Sequence, residues 1–153
     1  MWQLKQYHDM SRDELYDILA LRQSVFVVEQ HCAYLDADGR DAHSWHLTGR
    51  GATGDLTAYL RIVAPGHRFA EPSIGRVIIH PTLRGTGLGK GLMYEGIRQC
   101  RRLFPGQPIR ISAQQYLERF YAELGFQTKR EGNPYAEDGI PHIEMVLDDP
   151  GPP

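Results

Sequence analysis

The spacing of apolar and polar residues predicts an alternation of strands and helices along the chain. Residues 2–7 read as a short first strand. Ser11-Arg12-Asp13-Glu14 has the form of a capping box, with a hydroxyl at the N-cap and a carboxylate three residues on. Leu15, Ile18, Leu19, Val25 and Phe26 follow at helical spacing, so a helix is expected from about residue 12 towards 29. Residues 32–41 are polar and acidic and read as a loop. Residues 44–49 and 56–64 predict paired strands, with Gly49, Gly51 and Gly54 at the turn and Pro65-Gly66 as the stop. Residues 74–80, rich in β-branched side chains, predict another strand, which Pro81 ends. After a glycine cluster, Leu88, Leu92, Ile97, Cys100 and Phe104 recur at helical spacing as far as Pro105-Gly106. A strand over 109–113 precedes a short helix whose inner stripe is Leu117, Phe120, Tyr121 and Leu124, closed by Gly125. Residues 126–129 and 142–147 are the last two strands, and 150–153 read as a frayed tail.

This order, β-α-β-β-β-α-β-α-β-β, implies an α/β (α+β) architecture: one mixed sheet with helices on its faces, in a single domain over residues 1–149. The β-α-β crossovers fall between residues 74 and 129, so parallel pairing is expected there. A length of 153 residues suits one core, and 41% apolar with 24% charged residues is ordinary globular composition. A formal charge of -2 gives the whole chain no attraction for nucleic acid, and Arg98, Arg101 and Arg102 read as solvated. No apolar run reaches ~18 residues and no signal-peptide pattern opens the chain, so neither a membrane span nor export is expected, and a reducing cytoplasm is the expected location. Cys32 and Cys100 lie in no Cys-x-x-Cys motif and are expected as free thiols, Cys100 as a small buried side chain. Cys32, His43 and His46 fail as a zinc site, because only the two histidines are close and alternation puts them on opposite strand faces. No metal is expected.

The informative stretch is residues 78–91, Ile-Ile-His-Pro-Thr-Leu-Arg-Gly-Thr-Gly-Leu-Gly-Lys-Gly, running from a strand through a glycine-rich turn into a helix. Gly85, Gly87 and Gly89 permit positive φ and close approach of a ligand, free N–H groups at a helix start favour phosphate, and Arg84 and Lys90 add positive charge. Neither register of G-x-G-x-x-G fits, since the last glycine falls on Lys90 or Leu92. Walker A fails at Arg84 and at Gly91. The pattern Arg-x-x-Gly-x-Gly fits as Arg84, Gly87 and Gly89.

With the preceding Val77-Ile78-Ile79, that loop resembles the pyrophosphate loop of the GCN5-related N-acetyltransferase (GNAT) superfamily. Phe120-Tyr121-Ala-Glu-Leu124-Gly125-Phe126 resembles the family's second signature. Arg22-Gln-Ser-Val-Phe-Val-Val-Glu-Gln30, then Cys32, Tyr34, Asp36, Asp38 and Asp41, and Gly139-Ile-Pro-His-Ile-Glu-Met145 near the end, resemble the ElaA-type branch. The resemblance implies an acetyl-CoA-dependent N-acetyltransferase and a mostly antiparallel sheet that splays open beside the 74–80 strand. It implies pantetheine pairing with the backbone of Val77, Ile78 and Ile79, and an oxyanion held by the Ile79 N–H. Pyrophosphate contacts would come from Arg84, Gly85, Thr86, Gly87, Leu88, Gly89 and Lys90.

Tyr121 also fits the apolar stripe as a core aromatic; the resemblance makes it the acid that protonates the leaving thiolate. The general base is open. Residues 73–80 carry no acidic residue, which leaves Glu29, His46, His142, Glu144 or a water relay. Asp36, Asp38 and Asp41 read either as an attractor for a cationic amine or as a solvated loop. The acceptor is expected to be a small-molecule or peptide amine, met by loops about 30–41 and 132–141, with a homodimer allowed as the assembly. The alternative reading is a CoA-binding regulatory or sensor module without turnover; a nucleotide-phosphate binder is disfavoured by the failed fingerprints.

Overall fold

A computed structural model describes residues 1–129, 131 and 133–151. Gly132 of the expected acceptor loop, and Pro152 and Pro153 of the expected tail, lie outside the described residues. The strands are β1 (Trp2–Gln6), β2 (Ser44–Arg50), β3 (Leu56–Val63), β4 (Ser73–Ile79), β5 (Ile109–Gln114), β6 (Gln127–Thr128), β7 (Tyr135–Glu137) and β8 (Ile140–Leu147). The α-helices are α1 (Arg12–Gln23), α2 (Leu88–Leu103) and α3 (Glu118–Glu123).

The capping box at the start of α1 is formed reciprocally. Ser11 Oγ accepts from the Glu14 N–H at 3.0 Å, and Glu14 Oε1 accepts from the Ser11 N–H at 3.4 Å. The expected helix over 12–29 is present, but its winding changes. Residues Ser24–Glu29 form a π-helical segment, with a Gln30 N–H bond to Val25 O at 3.2 Å. The wider turn displaces side chains from the 3.6-residue register, and Val25, Phe26, Val27 and Glu29 come to line a cavity.

The sheet runs β1-β2-β3-β4-β5-β8-β6, with β7 beside β6 on the outer edge of β8. All pairs are antiparallel except β4–β5, which touch at a single register pair, Ser73 with Arg110. The parallel pairing expected between residues 74 and 129 is therefore confined to this contact. β5 and β6 do not pair, because β8 lies between them. β7 was not expected; it turns back on β8 as a hairpin and brings Tyr135 and Glu137 alongside His142 and Ile140.

Two apolar layers cover the sheet. Leu47, Ala58, Leu60 and Ile62 face α2 and α3, packing with Leu92, Met93, Ile97 and Cys100. Tyr59 and Ile78 face the other way, against Ile18 and Val25. The alternation of β3 sets these two faces. Arg61 falls on the Tyr59 side and is buried there.

Candidate functional site

β4 ends at Ile79, a short turn over Pro81–Leu83 reverses the chain, and α2 starts at Leu88. Gly85 and Gly87 have φ of 79° and 85°, the left-handed region that glycine enters at little cost. Gly87 is the N-cap of α2, so the first N–H groups of the helix have no carbonyl one turn back within it. A Cβ built on Gly85 or Gly87 would meet nothing within 4 Å, so both positions face open space through which an anion can approach. Gly89 departs from the expectation of positive φ. It is helical, and an added Cβ would touch Ile79 Cγ1 at 3.7 Å and Phe120 Cζ at 3.8 Å. The side chains of Thr86 and Leu88 do not line the cavity described below. Thr86 Oγ1 donates to Leu83 O at 2.6 Å, and Leu88 packs on the core.

The loop opens into a cavity of about 620 Å³, within the range of small-molecule sites. Val77, Ile78 and Ile79, then Arg84, Gly85, Gly87, Gly89 and Lys90, and finally Tyr121 all line it. The cavity exists because β4 and β5 diverge beyond Ser73. His80 N–H donates to Thr57 O at 2.8 Å on the β3 side. By the alternation of an antiparallel ladder, the Ile79 N–H one residue earlier points into the opening.

Arg84 is engaged at the cavity mouth. Its Nη1 and Nη2 fork onto Glu29 at 2.8 and 3.0 Å, and its Nε donates to Ile79 O at 3.2 Å. Both partners of that pair are more than 40% exposed. An exposed pair is worth about 0–1 kcal/mol, so a phosphate can replace Glu29 at small cost. Tyr121 is buried, its ring edge-on to Phe120 at 5.1 Å and Phe126 at 6.0 Å. Burial, with Tyr116 nearby, pushes its phenol well above the ordinary value, so it is protonated and able to donate.

The four base candidates separate. His46 is buried away from the cavity, with Nδ1 2.7 Å from Tyr59 Oη and Nε2 3.1 Å from Asp41 O; burial lowers its pKa. Glu144 does not line the cavity and pairs with Arg110 at 3.3 Å. Glu29 and His142 line it, and Glu29 is the partner of Arg84. Cys32, His43 and His46 do not converge. Cys32 Sγ lies 3.1 Å from Asp138 O, and His43 stacks on His67 at 4.1 Å.

The acidic run is neither solvated nor free to attract an amine. Arg22, fully buried on α1, donates to Asp36 Oδ2 at 2.8 Å and Asp41 Oδ1 at 2.7 Å. Arg61 on β3 donates to Asp38 at 2.8 and 2.7 Å and to Asp41 at 3.0 Å. Arg76 Nη2 donates to Asp36 O at 3.0 Å. Its Nε is 2.8 Å from Asp36 Oδ1 without hydrogen-bond alignment, so this contact is an ion pair and both atoms lack a hydrogen-bond partner. Arg40 Nη1 adds a contact to Asp38 Oδ2 at 3.3 Å, so four guanidinium groups surround three carboxylates. Burial would raise the Asp38 carboxyl, but hydrogen bonds and charge from Arg61 outweigh it and hold it far below the carboxylate range. Arg76 sits at a bulge in β4, where it and Val77 together stand opposite Leu60, and its φ is 51°. Asp36, Arg61 and Arg76 line the cavity, so this network is its floor. The available signal was Arg61, a charge within the apolar run of β3.

A profile of the acetyltransferase (GNAT) domain matches residues 56–148. A UPF0039 protein of Synechocystis is 45% identical over 146 residues, covering 95% of this chain and 94% of that protein. The crystal structure of an acyl-CoA N-acyltransferase from Pseudomonas aeruginosa superposes with a TM-score of 0.89 at 40% identity, covering 96% of this chain and 98% of that one. That of Escherichia coli ElaA gives 0.88 at 37% identity, covering 97% and 99%.

Proposed function

Because the chain belongs to the GNAT superfamily, in its ElaA-like branch, we propose that it moves an acetyl group from acetyl-CoA to a primary amine by direct attack through a tetrahedral intermediate. The observation that carries this reading is that one cavity joins the glycine loop, the open edge of β4 and Tyr121. The free N–H groups at the start of α2, with Arg84 and Lys90, take the pyrophosphate. The unpaired edge of Val77, Ile78 and Ile79 takes the pantetheine amides, which supply the partners that β5 withholds. The Ile79 N–H holds the oxyanion as the thioester carbonyl becomes tetrahedral. Tyr121 gives its proton to the departing thiolate. The acceptor is a small-molecule or peptide amine, and two free thiols suit a reducing compartment such as the cytoplasm.

Titration calorimetry tests the donor, and thiol release with a panel of amines tests the transfer. Acetyl-CoA should bind, NAD and ATP should not, and amines should release thiol. Gly87→Val forces a β-branched residue into φ near 85° and sets its side chain in the phosphate approach. It should lose at least about tenfold in acetyl-CoA affinity, since the side chain stands where the phosphate must reach the helix N–H groups, and the left-handed backbone should cost about 1–2 kcal/mol of stability besides. Unchanged binding by Gly87→Val would refute the loop assignment. Binding without amine-dependent thiol release would point instead to a sensor module.

A further inference from the structure

We infer that His142 is the general base that takes the proton from the acceptor amine, and that Glu137 is the residue that positions it. The inference rests on the acetyl-transfer reading above and adds to it the step that reading leaves unassigned.

The tautomer of His142 follows from its neighbours. Nδ1 lies 2.7 Å from the carbonyl oxygen of Ile140, which can only accept. Nδ1 therefore carries a hydrogen, and in the neutral ring the lone pair is on Nε2. Nε2 lies 3.5 Å from Glu137 Oε2, too far for an aligned hydrogen bond but close enough for the carboxylate to stabilise an imidazolium. His142 lines the same cavity as Ile79 and Tyr121.

Two residues hold Glu137 by hydrogen bonds. Arg68 Nη2 donates to its Oε1 at 2.6 Å. Ser112 Oγ, itself hydrogen-bonded to Tyr135, lies 3.4 Å from its Oε2. Burial would raise the Glu137 carboxyl, but Arg68, His142 and Arg76 together bring it below the usual carboxylate value. It is ionised wherever the enzyme would work.

The other groups around His142 come from β4, β5, β7, β8 and the β3–β4 connection. On β7, Tyr135 faces the imidazole with ring centroids 6.2 Å apart. On β5, Gln114 stands opposite His142 and its amide reaches towards Gln30. Two residues along β8, Glu144 is taken by Arg110. Asp138, next to Glu137, lines the cavity. Arg68 comes from the β3–β4 connection and Arg76 from β4; both act on Glu137.

The acceptor ammonium gives one proton to Nε2, leaving a neutral amine. Its nitrogen lone pair forms the C–N bond, and the C=O π pair moves to oxygen beside the Ile79 N–H. Collapse breaks the C–S bond, and the thiolate leaves with that pair and takes the Tyr121 proton. The tyrosinate recovers a proton from the nitrogen, and His142 releases its own to water. Ammonium and thioester have become amide, thiol and one proton.

The test reads amine-dependent thiol release across pH, with acetyl-CoA affinity measured alongside by calorimetry. Failure of the transfer itself shows in the parent; failure of this inference shows only in the variants. His142→Gln should lose about 10²-fold or more in turnover while binding acetyl-CoA normally. His142→Ala should recover part of its loss when free imidazole is added. The parent rate should fall on the acid side as the base is protonated, and His142→Gln should lack that limb. Glu137→Gln should lower turnover with acetyl-CoA affinity unchanged, and Glu137→Asp should restore part of it. Turnover of His142→Gln within threefold of the parent, or the same acid limb in that variant, would overturn the proposal.

Discussion

Replacing Arg22 by Met keeps the stem packed and removes the guanidinium from a fully buried site. Three hydrogen bonds go: to Asp36 Oδ2 at 2.8 Å, to Asp36 O at 3.3 Å and to Asp41 Oδ1 at 2.7 Å. Asp41 retains Arg61 at 3.0 Å. Asp36 fares worse, because its Oδ1 already lacks an aligned donor and its Oδ2 then loses Arg22. Arg76 Nε stays 2.8 Å from Oδ1 as an ion pair, and losing one partner of a buried pair costs about 3–5 kcal/mol. At about 2–4 °C per kcal/mol for a chain of this size, the melting temperature should fall by roughly 6–20 °C. Thermal and urea unfolding read this directly. Adding Asp36→Asn to the variant neutralises the stranded charge and should recover part of the loss, a coupling that a double-mutant cycle measures. An Arg22→Met protein within about 1 kcal/mol of the parent would show that the network carries no such strain, and the reasoning would fail.

Tyr121→Phe keeps the ring in its edge-on packing with Phe120 and Phe126 and removes the hydroxyl. Turnover should fall by at least ~10²-fold with acetyl-CoA affinity nearly unchanged; a loss within threefold would leave Tyr121 a core residue. Asp38, Asp41 and Glu137 are all held below their ordinary values despite burial, chiefly by Arg61, Arg22 and Arg68 respectively. Their stabilisation is complete above about pH 5–6 and is lost as pH falls through the lowered native values, so melting temperature should drop there, and less steeply in Asp38→Asn. An equal slope in that variant would remove Asp38 from the account. Burial pushes the Cys100 thiol up to about 12, so alkylation of the native protein should label Cys32 alone and the denatured, unreduced protein should carry two labels. Zero labels after denaturation would mean a disulfide.

Local chemistry settled much of this protein in advance. The Ser11 capping box, the helical stripe of α2 and the Arg84–Gly87–Gly89 loop each depend on residues within a few positions of one another. Spacing alone therefore shows what they can do. The family signatures in those segments carried the cavity-lining residues of β4, the loop and Tyr121. Other features arise from pairings between distant segments. Arg22 meets Asp36 14 residues on, and Arg76 meets Asp36 40 residues back. Whether an aspartate in a polar loop is solvated depends on which strand passes beneath it, and periodicity within the loop holds no such information. The same reason hides the insertion of β8 between β5 and β6, and the β7 hairpin that sets Glu137 beside His142. A histidine on a strand has many dull uses. It stands out as a base once the fold has buried His46 away from the cavity, paired Glu144 with Arg110 and set its Nε2 3.5 Å from the Glu137 carboxylate in the cavity wall.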